Sequence, residues 1–207
     1  MTNPWEQRWM EGRTGWDAGG SAPILQDLVA GGTLPNGRAL VPGCGAGYDV
    51  LTLATPERTV LGLEIAPTAI ERFESLRRAR GTPQDRVRVA AADFFALHPA
   101  LIGGPFDLVW DYTFLCAIDP SMREAWARQM EQFVRPEGEL ITLIFPVTGP
   151  RPTRDNPGEG PPYPMHPELV RELLAGRFEP TVLEPVARSH PARQGKEWLG
   201  RWRRSGR

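Results

Sequence analysis

The sequence predicts an α/β fold with a mostly parallel seven-stranded sheet and an antiparallel hairpin at one edge. Apolar runs of strand length alternate with helical patterns through the first five strands, and this alternation is typical of a parallel sheet covered by helices on both faces. A glycine-rich turn at residues 43–47 directly follows the first apolar run. The last two apolar runs are joined by a polar turn, which is the pattern of a hairpin.

Helices are predicted where apolar residues recur at helical spacing behind a capping residue or a proline. Pro67 opens one such helix, residues 121–124 have the spacing of a capping box, and residues 136–138 are predicted to form a turn. The predicted helices cover residues 4–11, 23–30 and 48–54, begin at 67 and at 121, and end with 168–174. The predicted strands are 38–41, 59–63, 86–91, 106–110, 140–145, 178–186 and 196–204.

The composition is that of an ordinary globular protein. The chain has 207 residues, of which 41% are hydrophobic and 24% charged, and its formal net charge is −1. We therefore expect one domain over residues 1–207 with a sizeable core. The small net charge gives no reason to expect nucleic acid or a membrane as a partner, and no apolar stretch approaches the ~20 residues that a membrane span needs. Nothing in the sequence demands an interface, so a monomer is expected.

The two cysteines, Cys44 and Cys116, belong to no Cys-x-x-Cys pair, and the three histidines are scattered singly. No metal site is therefore expected. Cys44 lies inside the glycine turn, where a disulfide would obstruct a ligand. A reducing cytoplasm is the expected setting.

The glycine turn is the predicted ligand site. Glycines let the backbone turn tightly and approach a ligand without a Cβ in the way, and the helix that starts behind them presents free N–H groups. The pattern is G-x-G-x-G, and Tyr48 stands where a dinucleotide-binding turn needs its third glycine. This disfavours a dinucleotide oxidoreductase and favours S-adenosylmethionine (SAM), which has no pyrophosphate.

Polar residues follow three further strands, whose carboxyl ends should lie along one edge of the sheet. Glu64 comes 21 residues after Gly43 and is predicted to accept hydrogen bonds from two ribose hydroxyls. Asp93 is placed to accept from the adenine amino group, and Phe94 to pack on the adenine ring. Asp111 is a further predicted cofactor contact, with a solvated loop acid as the open alternative.

Three tryptophans, Trp5, Trp9 and Trp16, lie within twelve residues of one another near the N-terminus. They could plug the end of a core, or they could cover a ligand. Composition alone favours the plug, because large aromatic side chains are mostly packing residues.

Several specific blocks are spread over almost the whole chain, namely Trp5-Glu6-x-x-Trp9 with Trp16-Asp17, Leu40 to Gly45, Phe106 to Phe114, Cys116 to Pro120 with Met122-Arg123, Gly160 to Tyr163, and Trp198 to Trp202. In these blocks the chain resembles the thiopurine methyltransferase-like superfamily, and within it the thiol and halide (thiocyanate) methyltransferases of plants and bacteria. The resemblance implies a Rossmann-like SAM-dependent methyltransferase fold in which residues 1–35 form a helical cover. It also implies that the three tryptophans wrap the cofactor beside Gly43, Cys44 and Gly45.

The resemblance further implies methyl transfer to a small soft nucleophile such as a thiol, hydrosulfide, thiocyanate or a halide. Tyr112, after the fourth strand, is the predicted catalytic residue and a predicted acceptor contact. Tyr163 is a second predicted acceptor contact, in a proline-rich loop at 149–165 that we expect to act as a lid. The open alternative is that Tyr163 only packs this loop. Thiopurine, selenium, tellurium or oxygen acceptors stay open as alternatives, as does a module that binds SAM without turning it over.

Overall fold

The computed structural model describes residues 3–206 and contains the predicted strands, mostly parallel, with an antiparallel hairpin near the C-terminus, so the fold class is confirmed. The predicted domain, 1–207, also includes Met1, Thr2 and Arg207, which lie outside the described residues. The strands are β1 (Gly37–Pro42), β2 (Arg58–Glu64), β3 (Val87–Ala91), β4 (Phe106–Tyr112), β5 (Val134–Ile144), β6 (Phe178–Pro185) and β7 (Trp198–Arg204). The helices are α1 (Pro4–Met10), α2 (Pro23–Ala30), α3 (Tyr48–Leu53), α4 (Pro67–Ala79), α5 (Arg123–Phe133) and α6 (Pro167–Leu174).

The residues group into two compact units, and the first extends to Leu97. It is built on three parallel strands in the order β3-β2-β1, in which Val60 of β2 pairs with Ala39 of β1 and with Val87 of β3. These strands read as apolar runs because a parallel sheet is buried on both faces. Gly62 of β2 has no room for a side chain, since a Cβ there would lie 2.6 Å from the Sγ atom of Cys44.

Helix α1 has a local N-terminal cap and is anchored to α4 within this unit. The side chain of Asn3 caps it by accepting from the backbone N–H of Trp5 at 2.8 Å. The carboxylate of Glu6 accepts from the backbone N–H and from the hydroxyl of Thr68, at 3.0 and 2.7 Å. Thr68 lies in the first turn of α4, where a carboxylate also complements the helix dipole. The two contacts of Glu6 fasten α1 to the start of α4.

The second unit begins at His98 and contains the strand order β4-β5-β7-β6. Strands β4 and β5 are parallel, whereas β7 is antiparallel to both β5 and β6. The indole N–H of Trp202 on β7 donates to the hydroxyl of Thr142 on β5 at 2.9 Å. Trp202 is thus completely buried with its polar atom satisfied, as a buried tryptophan requires.

Two local predictions in this unit are wrong. Residues 136–138 are not a turn before the strand, because β5 runs through them. They lie in an irregular stretch where the pairing with β4 shifts register, and Glu137 has a φ of 60°. The predicted capping box at 121–124 is replaced by an earlier cap: Asp119 accepts from the N–H and the hydroxyl of Ser121, at 2.8 and 2.6 Å, and starts a short 3-10 turn that leads into α5. Asp119 thus takes the capping position that the sequence pattern assigned to Ser121.

Among residues 3–206, no helix combines the length and the apolar character that a bilayer crossing would require. Across the same residues, no group of three or more histidine, cysteine, aspartate or glutamate side chains is arranged to hold a metal ion. Both cysteines are free thiols.

Candidate active site

The glycine turn leaves β1 and enters α3 through three residues with left-handed backbones. Gly43, Gly45 and Gly47 have φ angles of 55°, 55° and 76°, which side chains with a Cβ rarely adopt. At Gly45 an added Cβ would lie 3.3 Å from the indole of Trp9. The turn is therefore a close-approach surface of bare backbone, as predicted.

Cys44 lies in this turn with its side chain directed at the sheet. Its Sγ atom packs on Gly62, and its backbone N–H donates to the carbonyl of Leu63 at 3.0 Å. Burial and the nearby Glu64 carboxylate raise the pKa of the Cys44 thiol well above its usual value. Cys44 thus remains a neutral thiol and contributes packing and backbone to the turn.

Glu64 holds the turn from the end of β2. One carboxylate oxygen accepts from Gly45 N–H at 2.8 Å, and the other accepts from Ile65 and Ala66 N–H at 2.7 and 3.0 Å. Burial raises the pKa of Glu64, and these three N–H groups oppose that rise. A carboxylate offers roughly four acceptor positions, so about one is left for a ribose hydroxyl. Accepting both hydroxyls requires the release of one backbone N–H.

The three tryptophans contact one another edge to face. The rings of Trp5 and Trp16 lie 5.1 Å apart, and those of Trp9 and Trp16 lie 5.8 Å apart. Trp9 is only 3% exposed and belongs to a core cluster, and the guanidinium of Arg72 lies 4.9 Å from its ring centre. Trp9 therefore packs into the core of this unit and presents little accessible surface. Trp5 and Trp16 are only half-buried and keep accessible surface.

The loop after β3 carries the predicted adenine contacts. Asp93 is exposed, and its Oδ1 atom accepts from the N–H of Phe95 at 2.9 Å. Phe94 is buried, with its ring 5.2 Å from that of Phe95 in a T-shaped arrangement. Asp93 is thus open to a ligand donor, whereas Phe94 presents little of its ring.

In the second unit, the carboxylate of Asp111 is buried and accepts hydrogen bonds from donors of the unit itself. It is 3% exposed, and its oxygens accept from the indole N–H of Trp126 at 2.8 Å and from the backbone N–H of Leu115 at 3.2 Å. Burial raises its pKa to about 6, against the opposing effect of these donors. Through these hydrogen bonds the carboxylate of Asp111 fixes the turn after β4.

That turn contains backbone strain beside a small cavity. Thr113 has a φ of 63°, which is uncommon for a β-branched residue, and such strain clusters at functional sites. The cavity lies at the carboxyl ends of β4 and β5. Its lining residues are Asp111, Thr113, Leu115, Cys116, Thr142, Leu143, Ile144, Phe145 and Met165.

Tyr112 belongs to a buried polar cluster of the second unit. Its hydroxyl donates to Oε1 of Glu197 at 2.5 Å, and Trp110 lies near its ring. The guanidinium of Arg193 lies 4.8 Å from the ring centres of both Tyr112 and Phe145 and is hydrogen-bonded to the Tyr112 hydroxyl. Burial raises the pKa of Tyr112 far above its usual value. Tyr112 is therefore a neutral phenol in a fixed orientation.

Tyr163 and Arg123 also lie near Cys116. The backbone N–H of Tyr163 donates to the carbonyl of Cys116 at 2.7 Å, which fastens the proline-rich loop at this point. Arg123 is 5% exposed; one of its terminal nitrogens donates to the carbonyl of Pro164 at 3.3 Å, while its Nε has no hydrogen-bond partner among the described residues. Burial lowers the pKa of Arg123. The unit thus holds a buried cation with an unused donor.

Sequence reasoning missed Arg123, Arg193 and Glu197 as candidate site residues. Arg123 was recognised only as part of a family block, and Arg193 and Glu197 fall in the polar turn between β6 and β7. All three are buried, although arginine and glutamate are mostly exposed in proteins. No local pattern marks them, because their burial depends on the packing of that turn.

Comparison with known proteins agrees with this geometry. Residues 1–204 match the family model described as thiopurine S-methyltransferase (TPMT). Arabidopsis thaliana "probable thiol methyltransferase 2" is 43% identical over 97% of this chain and 84% of its own length. Brassica oleracea "thiocyanate methyltransferase 1" is 41% identical over the same shares. A structure of Burkholderia thailandensis 1,6-didemethyltoxoflavin-N1-methyltransferase superposes with a TM-score of 0.71 at 21% identity, covering 97% of this chain and 85% of the other, which supports the fold.

Proposed function

Because this chain belongs to the thiopurine S-methyltransferase family and is therefore a SAM-dependent methyltransferase, we propose that it methylates small soft nucleophiles, foremost thiols and thiocyanate. The relatives that carry this proposal are named as thiol and thiocyanate methyltransferases, and their similarity extends over 97% of this chain. The observation within the molecule that supports it is Arg123, a buried cation with an unused N–H donor. Such a group favours an anionic acceptor, such as a thiolate or thiocyanate.

The first unit has the features that a SAM site needs. A Cβ at Gly45 would fill the space in front of Trp9, so only bare backbone fits there. Gly43, Cys44 and Gly45 would hold the amino-acid part of SAM, and Glu64 would accept from its ribose. When bound, SAM supplies a methyl group on a positively charged sulfonium, the electrophile of the reaction.

In this proposal, some of the remaining predicted cofactor contacts touch the cofactor, and others support the residues that do. Asp93 is exposed and can accept from the adenine amino group. Trp5 and Trp16 cover the cofactor with their accessible surfaces, and aromatic rings suit a cationic sulfur. Trp9 packs against the glycine turn at Gly45, and the buried Phe94 packs beneath the surface of the loop that carries Asp93.

The second unit supplies the acceptor contacts in this proposal. Tyr112 and Tyr163 line the acceptor's position, and Arg123 attracts its negative charge. The loop at 149–165 acts as a lid that excludes water. Methyl transfer is a single displacement, so the protein's work is to position the acceptor and to remove its water.

Neither cysteine is needed as a nucleophile. Burial raises the pKa of Cys116 to about 12, with Asp111 adding to the rise, and Cys44 is shifted in the same direction. Both thiols are therefore neutral at physiological pH, whereas the thiolate is the reactive form. The two free thiols also support the proposal of a reducing, cytoplasmic setting. The chain needs no second copy to complete these residues, and we propose that it acts as a monomer.

An acceptor panel tests this proposal. Purified protein is incubated with methyl-labelled SAM and, separately, with hydrosulfide, an alkanethiol, thiocyanate, iodide, a thiopurine and a phenol. We expect the largest kcat/KM values with the thiols and thiocyanate. Transfer to the thiopurine or the phenol without transfer to any small sulfur or halide acceptor would contradict the proposal.

A further inference from the structure

Glu197 is a buried carboxylate with an unused oxygen. The residue is 1% exposed; its Oε1 accepts the Tyr112 hydroxyl proton at 2.5 Å, and its Oε2 has no hydrogen-bond partner among the described residues. Burying an ionised carboxylate is expensive unless donors surround it, and an unsatisfied buried oxygen calls for a functional explanation. Glu197 is therefore not accounted for by packing alone.

The orientation of the Tyr112 hydroxyl follows from this contact. Its proton is directed at Glu197, and Arg193 is hydrogen-bonded to the same hydroxyl. The oxygen of Tyr112 can then accept a further hydrogen bond but has no second proton to donate. An acceptor molecule with an S–H group finds a partner at the Tyr112 oxygen, whereas thiocyanate or iodide has no proton to donate to it.

A thiol in this environment must also lose its proton before it can react. Cys116 serves as an internal example, because burial and Asp111 raise its pKa to about 12 although Arg193 and Arg123 oppose the rise. A substrate alkanethiol with an ordinary thiol pKa of about 8.5 is likewise mostly protonated at neutral pH. The attacking sulfur needs the electron pair that it shares with that proton.

We infer that Glu197 draws this proton away through Tyr112 and so makes the protein select acceptors that carry hydrogen on sulfur. The proton passes from the sulfur to the oxygen of Tyr112, while the original Tyr112 proton passes to Oε1 of Glu197. The electron pair freed on the sulfur forms the bond to the methyl carbon, and the bond from that carbon to the sulfonium breaks with its own pair. Glu197 later releases the proton to solvent. Glu197 acts through Tyr112 and is thus a positioning residue, and the inference rests on the proposed function.

The substitution Glu197→Gln tests this inference. Glutamine can still accept from the Tyr112 hydroxyl, so the local geometry is kept, but a neutral amide is a poor proton acceptor. The matched control is Glu184→Gln, which removes the same charge from an exposed position on β6. The kcat/KM values are measured at pH 7 with a neutral alkanethiol, with thiocyanate, and with 4-nitrothiophenol, which is already ionised at that pH.

General base effects are typically about 10²-fold or more, so Glu197→Gln should lower the ratio of alkanethiol to thiocyanate kcat/KM by about 100-fold. The ratio of 4-nitrothiophenol to thiocyanate should stay constant, as should both ratios in Glu184→Gln. Tyr112→Phe should lower the alkanethiol ratio in the same way. An unchanged alkanethiol ratio in Glu197→Gln, whether every rate falls together or none falls, would overturn the inference. If the wild-type protein methylates none of the three acceptors, the proposed function itself fails.

Discussion

The carboxylate of Asp111 allows a quantitative test of its assignment to structure and not to cofactor binding. Its pKa is raised from 3.8 to about 6 by burial, so the folded state binds this proton more tightly than the unfolded state does. The resulting stabilisation is fully present below pH 3.8 and is lost as the pH rises to about 6. A difference of about 2 pKa units corresponds to about 3 kcal/mol in total, and about 2 kcal/mol of that is regained on going from pH 7 to pH 4.5.

The variant Asp111→Asn has no proton to bind in this range. The free energy of unfolding is measured by urea denaturation for the wild type and for the variant at pH 7 and pH 4.5. We expect the difference, wild type minus variant, to rise by about 2 kcal/mol at the lower pH. Asp85→Asn, at an exposed position, is the control and should show no such change. A difference that stays flat or falls would refute the assigned environment of Asp111.

The same variant separates the two roles directly. If Asp111 only fixes the turn through Trp126 and Leu115, calorimetry should find SAM affinity within about threefold of the wild type, since the free-energy change at the ligand is below about 0.7 kcal/mol. A loss of tenfold or more in a variant that remains folded would restore Asp111 as a cofactor contact.

Two further predictions concern the first unit. Gly45→Ala forces a side chain into a left-handed backbone, at a cost of about 1–2 kcal/mol, and brings its Cβ to 3.3 Å from Trp9; SAM affinity should fall at least about tenfold. The control is Gly81→Ala, at a glycine with a similar φ of 64° and no atom within 4 Å of the added Cβ. This variant should lose stability but keep its SAM affinity. Equal SAM affinities in the two variants would contradict the prediction. Glu64→Gln places an amide N–H₂ against a backbone N–H and should also weaken SAM binding by about tenfold or more, because a hydrogen bond to a charged group contributes about 1.5–3 kcal/mol. In the same calorimetric titration, the exposed Glu71→Gln should bind SAM normally, and a normal result for Glu64→Gln would remove Glu64 from the site.

The fold and the glycine turn could be predicted from the sequence because both are local in origin. Buried parallel strands must be apolar along their length, and a close-approach turn must be glycine. Glu64 could be placed beside Gly45 because parallel strands end along a common edge. The confirmed fold class, a mostly parallel sheet with an antiparallel hairpin, needed no information beyond this alternation of elements.

Other parts of the site depend on packing that no local pattern records. An acid at the end of a strand gives the same sequence pattern whether it faces a ligand or, like Asp111, the indole of Trp126. A tryptophan near the N-terminus likewise gives the same sequence pattern whether it covers a ligand or, like Trp9, packs in the core. Arg193 and Glu197 lie in a polar turn whose burial appears only once β6, β7 and β5 have paired.

The most direct test of the central claim uses 2-mercaptoethanol, which carries a thiol and a hydroxyl on one small molecule. Purified protein, SAM and 2-mercaptoethanol are mixed at neutral pH, and the products are separated and identified by mass spectrometry. The account predicts one S-methyl product for each S-adenosylhomocysteine formed and no O-methyl product. Formation of the O-methyl ether, or S-adenosylhomocysteine without methylated thiol, would contradict it.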